Sequence, residues 1–315
     1  MGVLVNPAPH IPVLLTEVLE SYSPLKSRTD LVYFDGTFGR GGHFRAIGKQ
    51  YSLKKAFIAD QDLEAIATAR KDWSDWIESK RLEIFHGSFL EFAEKNQNPL
   101  DMILLDLGVS SPQLDQAERG FSFNKDGPLD MRMNQTARKS AADLINELNH
   151  DELMDIFKIF GEVPNPYHVV KAIIQDRGEK PFITTLQLAG LIERVDGWQK
   201  KGFHPATQYF MALRLVVNQE LEVLQQAVPL LIQQLRDGGL ISIITFHSLE
   251  DRIVKNLFKD SEYGFLVNKK VIVPTEEECR MNVRARSAKL RIFQKGQKPE
   301  KPDKFALRRA QRAKE

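Results

Sequence analysis

A doubly wound, mostly parallel α/β sheet carrying an inserted all-helical domain is the fold this sequence predicts. Short apolar runs that end in Asp or Gly alternate with helix-like stretches, as βαβ units require. A glycine-rich turn follows the first of these runs, and about 100 residues separate the fourth run from the helix that leads into the fifth.

The candidate strands lie at 31–35, 56–60, 82–85, 102–106 and 240–246. Residues 1–110 then form the first part of the core, 111–203 a loop and a helical insertion, and 204–315 the second part of the core with a basic C-terminal tail. Inside the insertion Leu153, Ile156, Phe157 and Phe160 fall at i, i+3, i+4 and i+7, and Gly161 can end that helix in the left-handed conformation. Thr184 with Gln187 matches a capping box ahead of Leu188, Leu191, Ile192 and Val195. A further helix is expected over 168–176. The stretch 206–236 is helical in pattern, with Pro229 starting a second helix or kinking the first. Asp237-Gly238-Gly239 then makes a tight turn before the fifth strand, and 266–273 with 289–294 form an antiparallel pair at one sheet edge.

Composition narrows the class. A hydrophobic fraction of 42% in 315 residues suffices for a large core. The longest apolar runs, at 102–105 and 240–246, fall far short of the ~20 residues that span a bilayer, so no membrane segment is expected. Pro7, Pro9 and Pro12 without a basic leader argue against a secretory signal. The single Cys279 excludes an intrachain disulfide and points to a cytoplasmic address. Neither that cysteine nor the 7 histidines show ligand spacing, so no metal site is expected. Net charge is +2, but residues 280–315 hold 13 Lys or Arg against 3 acidic residues, an excess of +10. Arg284, Arg286, Lys289, Arg291, Arg308, Arg309 and Arg312 in this tail can neutralise phosphates of a nucleic acid, or the tail is simply solvated.

The first strand runs into Asp35-Gly36-Thr37-Phe38-Gly39-Arg40-Gly41-Gly42-His43. Glycines here permit positive φ and close approach of a ligand to the main chain. A phosphate-binding P-loop fails because Gly42-His43 stands where Lys-Ser/Thr is needed. A dinucleotide fingerprint starting at Gly39 meets Phe44 at its last glycine position, which weakens a nicotinamide-dependent oxidoreductase as an alternative. A nucleoside cofactor without pyrophosphate fits better. Asp35 can then accept from a methionine ammonium, Asp60 at the second strand end from ribose hydroxyls, and Phe89 can pack on adenine or belong to the core.

The fourth strand delivers Asp106 and then Leu107-Gly108-Val109-Ser110-Ser111-Pro112-Gln113 to the sheet edge where such folds bind ligands. A long polar loop with buried-looking Phe and Met residues follows, to Met133. Here the chain resembles the bacterial RsmH (MraW) family, through the glycine turn 35–43 and the segments 106–115, 118–123, 126–133, 204–207, 246–252 and 284–287. The family methylates the N4 amine of a cytosine in 16S, small-subunit ribosomal RNA. The resemblance implies a class I (Rossmann-like) methyltransferase core, S-adenosyl-L-methionine as cofactor, the small ribosomal subunit or its RNA as partner and, in many members, a homodimer. It also implies cofactor contacts at Gly41, Gly42, His43, Asp60, Phe89, Asp106 and Gln113. One departure is Gly161-Glu162-Val163-Pro164-Asn165-Pro166-Tyr167-His168, where the family has Gly-Glu-Glu-Arg-Phe-Ala.

An exocyclic cytosine amine is a weak nucleophile, because its lone pair is delocalised into the ring. Catalysis must come from placement and from an acceptor aimed at its N–H. Asp106 is the best-placed acceptor. His247 and Asp251 either shape the base pocket or begin a helix capped by Ser248. His204 starts a helix or touches substrate, and Arg119 and Arg132 bind phosphate or support their loop. The target cytosine must leave its stack, or lie in irregular RNA, to enter such a pocket. The helical insertion and the tail are the RNA-facing parts. A non-catalytic RNA-binding or assembly protein on the same fold is the second alternative.

Overall fold

The computed structural model describes residues 12–198 and 204–298. Its strands are β1 (Leu31–Asp35), β2 (Leu53–Asp60), β3 (Leu82–His86), β4 (Leu100–Asp106), β5 (Leu235–Thr245), β6 (Gly264–Leu266) and β7 (Lys289–Lys295). They form one sheet in the order β3-β2-β1-β4-β5-β7-β6. β1 to β5 are parallel, and β7 is antiparallel to both β5 and β6. The doubly wound sheet expected from the sequence is therefore present. The antiparallel pair expected at one sheet edge is present as β6 with β7, extended by a bridge from Ile272 to Leu290. The first partner is shorter than expected, a three-residue strand, and buried Leu290, Ile292 and Phe293 carry β7 against β5 on its other side.

Alternation along the strands supplies two separate cores. Tyr33, Ile58, Met102, Leu104 and Leu290 face α1 (Leu15–Ser21), α2 (Gly42–Gln50) and α3 (Leu63–Asp72). Phe34, Phe57, Ile103, Leu105, Ile241 and Phe293 face α5 (Phe89–Lys95), α12 (Glu220–Gln234) and α13 (Ser248–Asp260). Strands buried on both faces read as continuous apolar runs, which is why these runs were legible. α4 (Ser74–Glu78) only extends the α3 layer.

A third core belongs to the insertion. α7 (Ala141–Glu147), α8 (His150–Asp155), a π-helical turn at Ile156–Phe160, α9 (Tyr167–Glu179) and α10 (Thr185–Asp196) enclose Leu144, Leu153, Phe157, Ile173 and Leu188. The Thr184–Gln187 capping box is formed. Gly161 does not end its helix left-handed. Its φ is −87°, and Glu162 takes the positive φ of 49° instead. Glycine is required there by proximity, since a Cβ would lie 2.6 Å from the Phe157 carbonyl oxygen. α11 (Ala206–Val217) also buries Tyr209, Phe210 and Leu213 in this helical core. The helical body therefore reaches past the expected limit at 203. The break between α11 and α12 falls at Asn218–Gln219, not at Pro229, which sits inside α12. Asn218 donates to the Met131 carbonyl (2.8 Å) and accepts from Met133 N (2.8 Å), and Gln219 adopts φ 51°. Side-chain bonds to another segment outcompete the continuing helix at that point.

In the segment where the sequence departs from the family pattern, Val163 enters the helical core and Glu162 bonds Ser248 and meets Arg252 at the start of α13. It ties the insertion to the sheet.

A charged residue lies inside the sheet on β4. Asp101 on β4 is fully buried, accepts from Val32 N (2.8 Å), and is paired with Arg28 (2.8 Å) and Arg236 (2.6 Å). Asp101→Ala is expected to cost about 3 kcal/mol in urea unfolding, the low end for a broken buried pair because the arginines left behind reach solvent.

Candidate active site

Strand order reverses between β1 and β4: the connections of β1 run toward α2, on one face of the sheet, and β5 beside β4 is reached through α12, on the other. A crevice necessarily opens at the carboxyl ends of these two strands. There the structure has a cavity of about 690 Å³, within the range of small-ligand sites. It is lined from one end by Asp60, Asp62, Ser88, Phe89 and Gln113, in the middle by Asp35, His43 and Asp106, and at the other end by Met133, Asn218, Glu220 and Glu250.

Of the residues singled out from the sequence, Gly42, His43, Asp60, Phe89, Asp106 and Gln113 line this one cavity. Gly41 stands behind it. With φ 69° it caps α2, and a Cβ there would lie 2.6 Å from the Phe38 ring, so the turn closes only with glycine. Phe89, the first residue of α5, lines the cavity and is 7% exposed in the core it shares with α12.

The strand ends carry the charge. Asp60 accepts from Gly39 N (2.8 Å) and Asp62 N (2.9 Å), which welds the glycine turn to β2. Asp35 accepts from the Tyr33 hydroxyl (3.1 Å) and Thr37 N (3.2 Å). Burial pushes both carboxyls up to about 6, against the lowering effect of these donors and, for Asp35, of nearby His43. Asp106 is held through its backbone, which donates to Thr37 Oγ1 (2.6 Å). Its Oδ2 lies 3.6 Å from His43 Nε2, too far for a firm hydrogen bond. Both nitrogens of the buried His43 ring and Oδ1 of Asp106 lack a partner among the described residues. Unsatisfied buried polar atoms are costly and mark places where a ligand completes the bonding.

Asp62, missed from the sequence, organises the loop that follows β4. Its carboxylate is buried, caps α3 by accepting from Glu64 N (3.0 Å), and accepts from Gln113 Nε2 (2.9 Å) and Arg119 Nη1 (2.7 Å). Gln113 lies on α6 (Ser111–Asp115) and also accepts from Ser110 N (2.9 Å). Arg119, 4% exposed, further donates to the carbonyls of Arg132 and Met133. Arg132 in turn forks onto Asp130 (2.9 and 2.6 Å) and donates to the Ala137 carbonyl (2.8 Å). Both arginines support the loop, which settles the choice left open by the sequence. The only local signal for Asp62 was the cap it makes two residues ahead of Glu64.

At the far end, His247 and Asp251 do not line the cavity. His247 caps α13, and Asp251 turns away to Arg291 (2.6 and 3.0 Å) and Lys289 (3.6 Å), which hold its carboxyl below the usual range despite burial. Arg291 and Lys289 are therefore spent on β7. Arg284 pairs with Asp115 (2.8 Å), while Arg308, Arg309 and Arg312 lie outside the described residues. His204 caps the start of α11 by accepting from Ala206 N (3.1 Å). The cavity wall is made instead by Glu250, 1% exposed, and Glu220. Glu250 accepts from Phe246 N (2.9 Å) and lies 3.0 Å from His247 Nε2; burial opposes its charge, yet His247 and Arg214 hold its carboxyl below the usual value. Glu220 is gripped by Arg214 (2.9 and 3.2 Å), and its carboxyl is nonetheless raised by burial. Nothing in their local sequence separates these two acids from ordinary first-turn helix acids.

Among the described residues no group of three His, Cys, Asp or Glu is placed to hold a metal ion, and no helix is long and apolar enough to cross a membrane.

The MraW methylase family model matches residues 7–296. The chain is 59% identical over 292 residues to the ribosomal RNA small subunit methyltransferase H of Bdellovibrio bacteriovorus, covering 92% of this chain and 89% of that protein. It is 42% identical over 309 residues to the protein of the same name from Stenotrophomonas maltophilia, covering 92% and 94%. To that of Legionella pneumophila strain Paris it is 43% identical over 311 residues, covering 91% and 99%.

Arg119→Ala leaves the Asp62 carboxylate buried with only two neutral donors, Glu64 N and Gln113 Nε2. It is expected to destabilise the protein by about 3–5 kcal/mol in chemical denaturation, with Arg119→Lys recovering only part because it cannot fork to the three acceptors.

Proposed function

We propose, from the premise that this chain belongs to the MraW methylase family, that it is an S-adenosylmethionine-dependent methyltransferase acting on the N4 amine of a cytosine in small-subunit ribosomal RNA. The observation that carries the reading is the single cavity running from the ribose-type acid Asp60, past the unsatisfied His43 and Asp106, to the acid-walled end at Glu220 and Glu250. The nicotinamide alternative drawn from the same glycine turn gives way to the family assignment.

The residues present fit the cofactor. The backbone of Gly42 would lie along it, with Gly41 closing the turn behind, Asp60 would accept from its ribose, Phe89 would pack on its adenine, and Asp35 would face its ammonium. Gln113, held by Asp62, would close the adenine side. When bound, S-adenosylmethionine supplies an electrophilic methyl group on a sulfonium. Asp106 is assigned as the acceptor for a cytosine N4–H, orienting the amine and taking its proton. The family fixes the substrate class, and the acid-walled end of the cavity suits a base that presents an amine. RNA is proposed to lie over the helical insertion and the basic C-terminal segment, where charge neutralises phosphate. A cytoplasmic address and a homodimer belong to the same proposal.

Asp106→Ala should abolish transfer of labelled methyl from the cofactor to small ribosomal subunits while leaving S-adenosylhomocysteine stabilisation within a few degrees of wild type. Undiminished transfer would remove Asp106 from the chemistry, and no transfer by wild type to any RNA would favour a non-catalytic assembly protein.

The raised carboxyls of Asp35 and Asp60, at about 6, give a second expectation. Near pH 6 both are partly protonated, and a bound ammonium and ribose hydroxyls favour the ionised forms. S-adenosylhomocysteine binding should therefore release protons at pH 6 and release almost none at pH 8, as read by calorimetry in buffers of different ionisation enthalpy. Buffer-independent heats at pH 6 would contradict this placement.

A further inference from the structure

His43 has more to offer than its backbone. Its ring is 6% exposed and lies on the cavity wall between the ends of β1 and β4. Neither ring nitrogen has a partner among the described residues, and Nε2 stands 3.6 Å from Asp106 Oδ2. Oδ1 of Asp106 is likewise unpartnered, although the carboxylate as a whole keeps about a quarter of its surface accessible, toward the cavity. On the β1 side His43 acts electrostatically to lower the Asp35 carboxyl, against the larger effect of burial, and the Tyr33 hydroxyl donates to Asp35. A buried histidine used only for packing would have at least one nitrogen bonded to a carbonyl or a carboxylate at ordinary distance.

We propose that His43 is the second station of a proton path from the target amine, with Asp106 the first; this rests on the functional reading above. As the nitrogen–methyl bond forms from the amine lone pair, the carbon–sulfur bond breaks and its electron pair stays on sulfur. The nitrogen then sheds one proton to the Asp106 carboxylate. A modest closing of the 3.6 Å gap lets that carboxylic acid pass the proton to the neutral imidazole at Nε2, regenerating the carboxylate. The imidazolium then stands beside the regenerated Asp106 carboxylate, which stabilises its charge until products leave and the proton returns to water. Charge balances at each step: one sulfonium charge is lost and one proton charge appears, first on Asp106 and then on His43. Because His43 acts through Asp106, it is a positioning and proton-holding residue and need not touch the base.

The test compares wild type, His43→Gln, Asp106→Asn and the double variant in single-turnover transfer to small ribosomal subunits, together with S-adenosylhomocysteine affinity by calorimetry. The relay requires His43→Gln to slow transfer by about 10²-fold, in the range of general acid–base contributions. The transfer rate is read at saturating cofactor, so that a change in cofactor affinity does not enter it. Added imidazole should restore part of the rate to His43→Ala, and the double variant should lose no more than Asp106→Asn alone. A drop in S-adenosylhomocysteine affinity with an unchanged transfer rate would make His43 a plain cofactor contact and overturn the relay. An unchanged rate in His43→Gln would overturn it too. If His43→Gln fails to fold, His43→Asn in the same single-turnover assay decides the matter, with the same outcomes. N4-methylcytidine formed at full rate by His43→Gln sinks the relay alone, whereas its absence from RNA treated with wild type sinks the functional reading and the relay with it.

Discussion

The crevice between β1 and β4 is the constraint on which the site depends. Two neighbouring parallel strands end there with a carboxylate each, Asp35 and Asp106, and their helical connections pack on opposite faces of the sheet, so no backbone covers the gap. Carboxylates so placed are short of cations. His43 is the nearest basic group to both, and burial keeps Asp35 reluctant to ionise. A cationic ligand relieves that shortage, and a cationic sulfonium beside an ammonium meets the need better than a neutral metabolite would. The same shortage of cations makes the crevice a suitable resting place for a proton.

Around this crevice the long segment after β4 is fixed by buried charge as well as by the apolar contacts of Phe121, Leu129 and Met131. Asp62 draws Gln113 and Arg119 inward, Arg119 holds the chain at Arg132 and Met133, and Asn218 receives Met131 and Met133 from the helical body. The far wall is built in the same way, with Arg214 of α11 gripping Glu220 of α12 beside the Glu250–His247 pair of α13. Insertion and sheet thus meet through buried charge. Such charges are expensive to desolvate and are specific in what they accept, so any rearrangement of one body against the other must repair or replace these pairs.

Most of the frame was legible in the sequence, and for a stated reason. Strands buried on both faces, such as β1 and β4, must be apolar throughout, and glycines such as Gly41 declare a turn that no other residue can close. Local rules also found the Thr184 cap and the Asp35, Asp60 and Asp106 positions, and the family resemblance added His43. What stayed hidden is non-local. Arg291 reads as one more basic residue of a charged tail until β7 is seen pressed against β5, with Asp251 waiting for it. The helix break at Asn218 depends on Met131 and Met133, more than 80 residues away in sequence, while Pro229, the loudest local breaker, is tolerated inside α12. Glu220 and Glu250 look like helix-start acids, and only the packing of three helices turns them into a cavity wall.

A crystal structure of the protein with S-adenosylhomocysteine would show most directly whether the crevice is a methyl-transfer site. The ribose hydroxyls should lie on Asp60, the adenine against Phe89, and the thioether toward Asp106 and His43, leaving the end walled by Glu220 and Glu250 open for a base. A ligand seated elsewhere, or one whose sulfur faces away from Asp106, would contradict it.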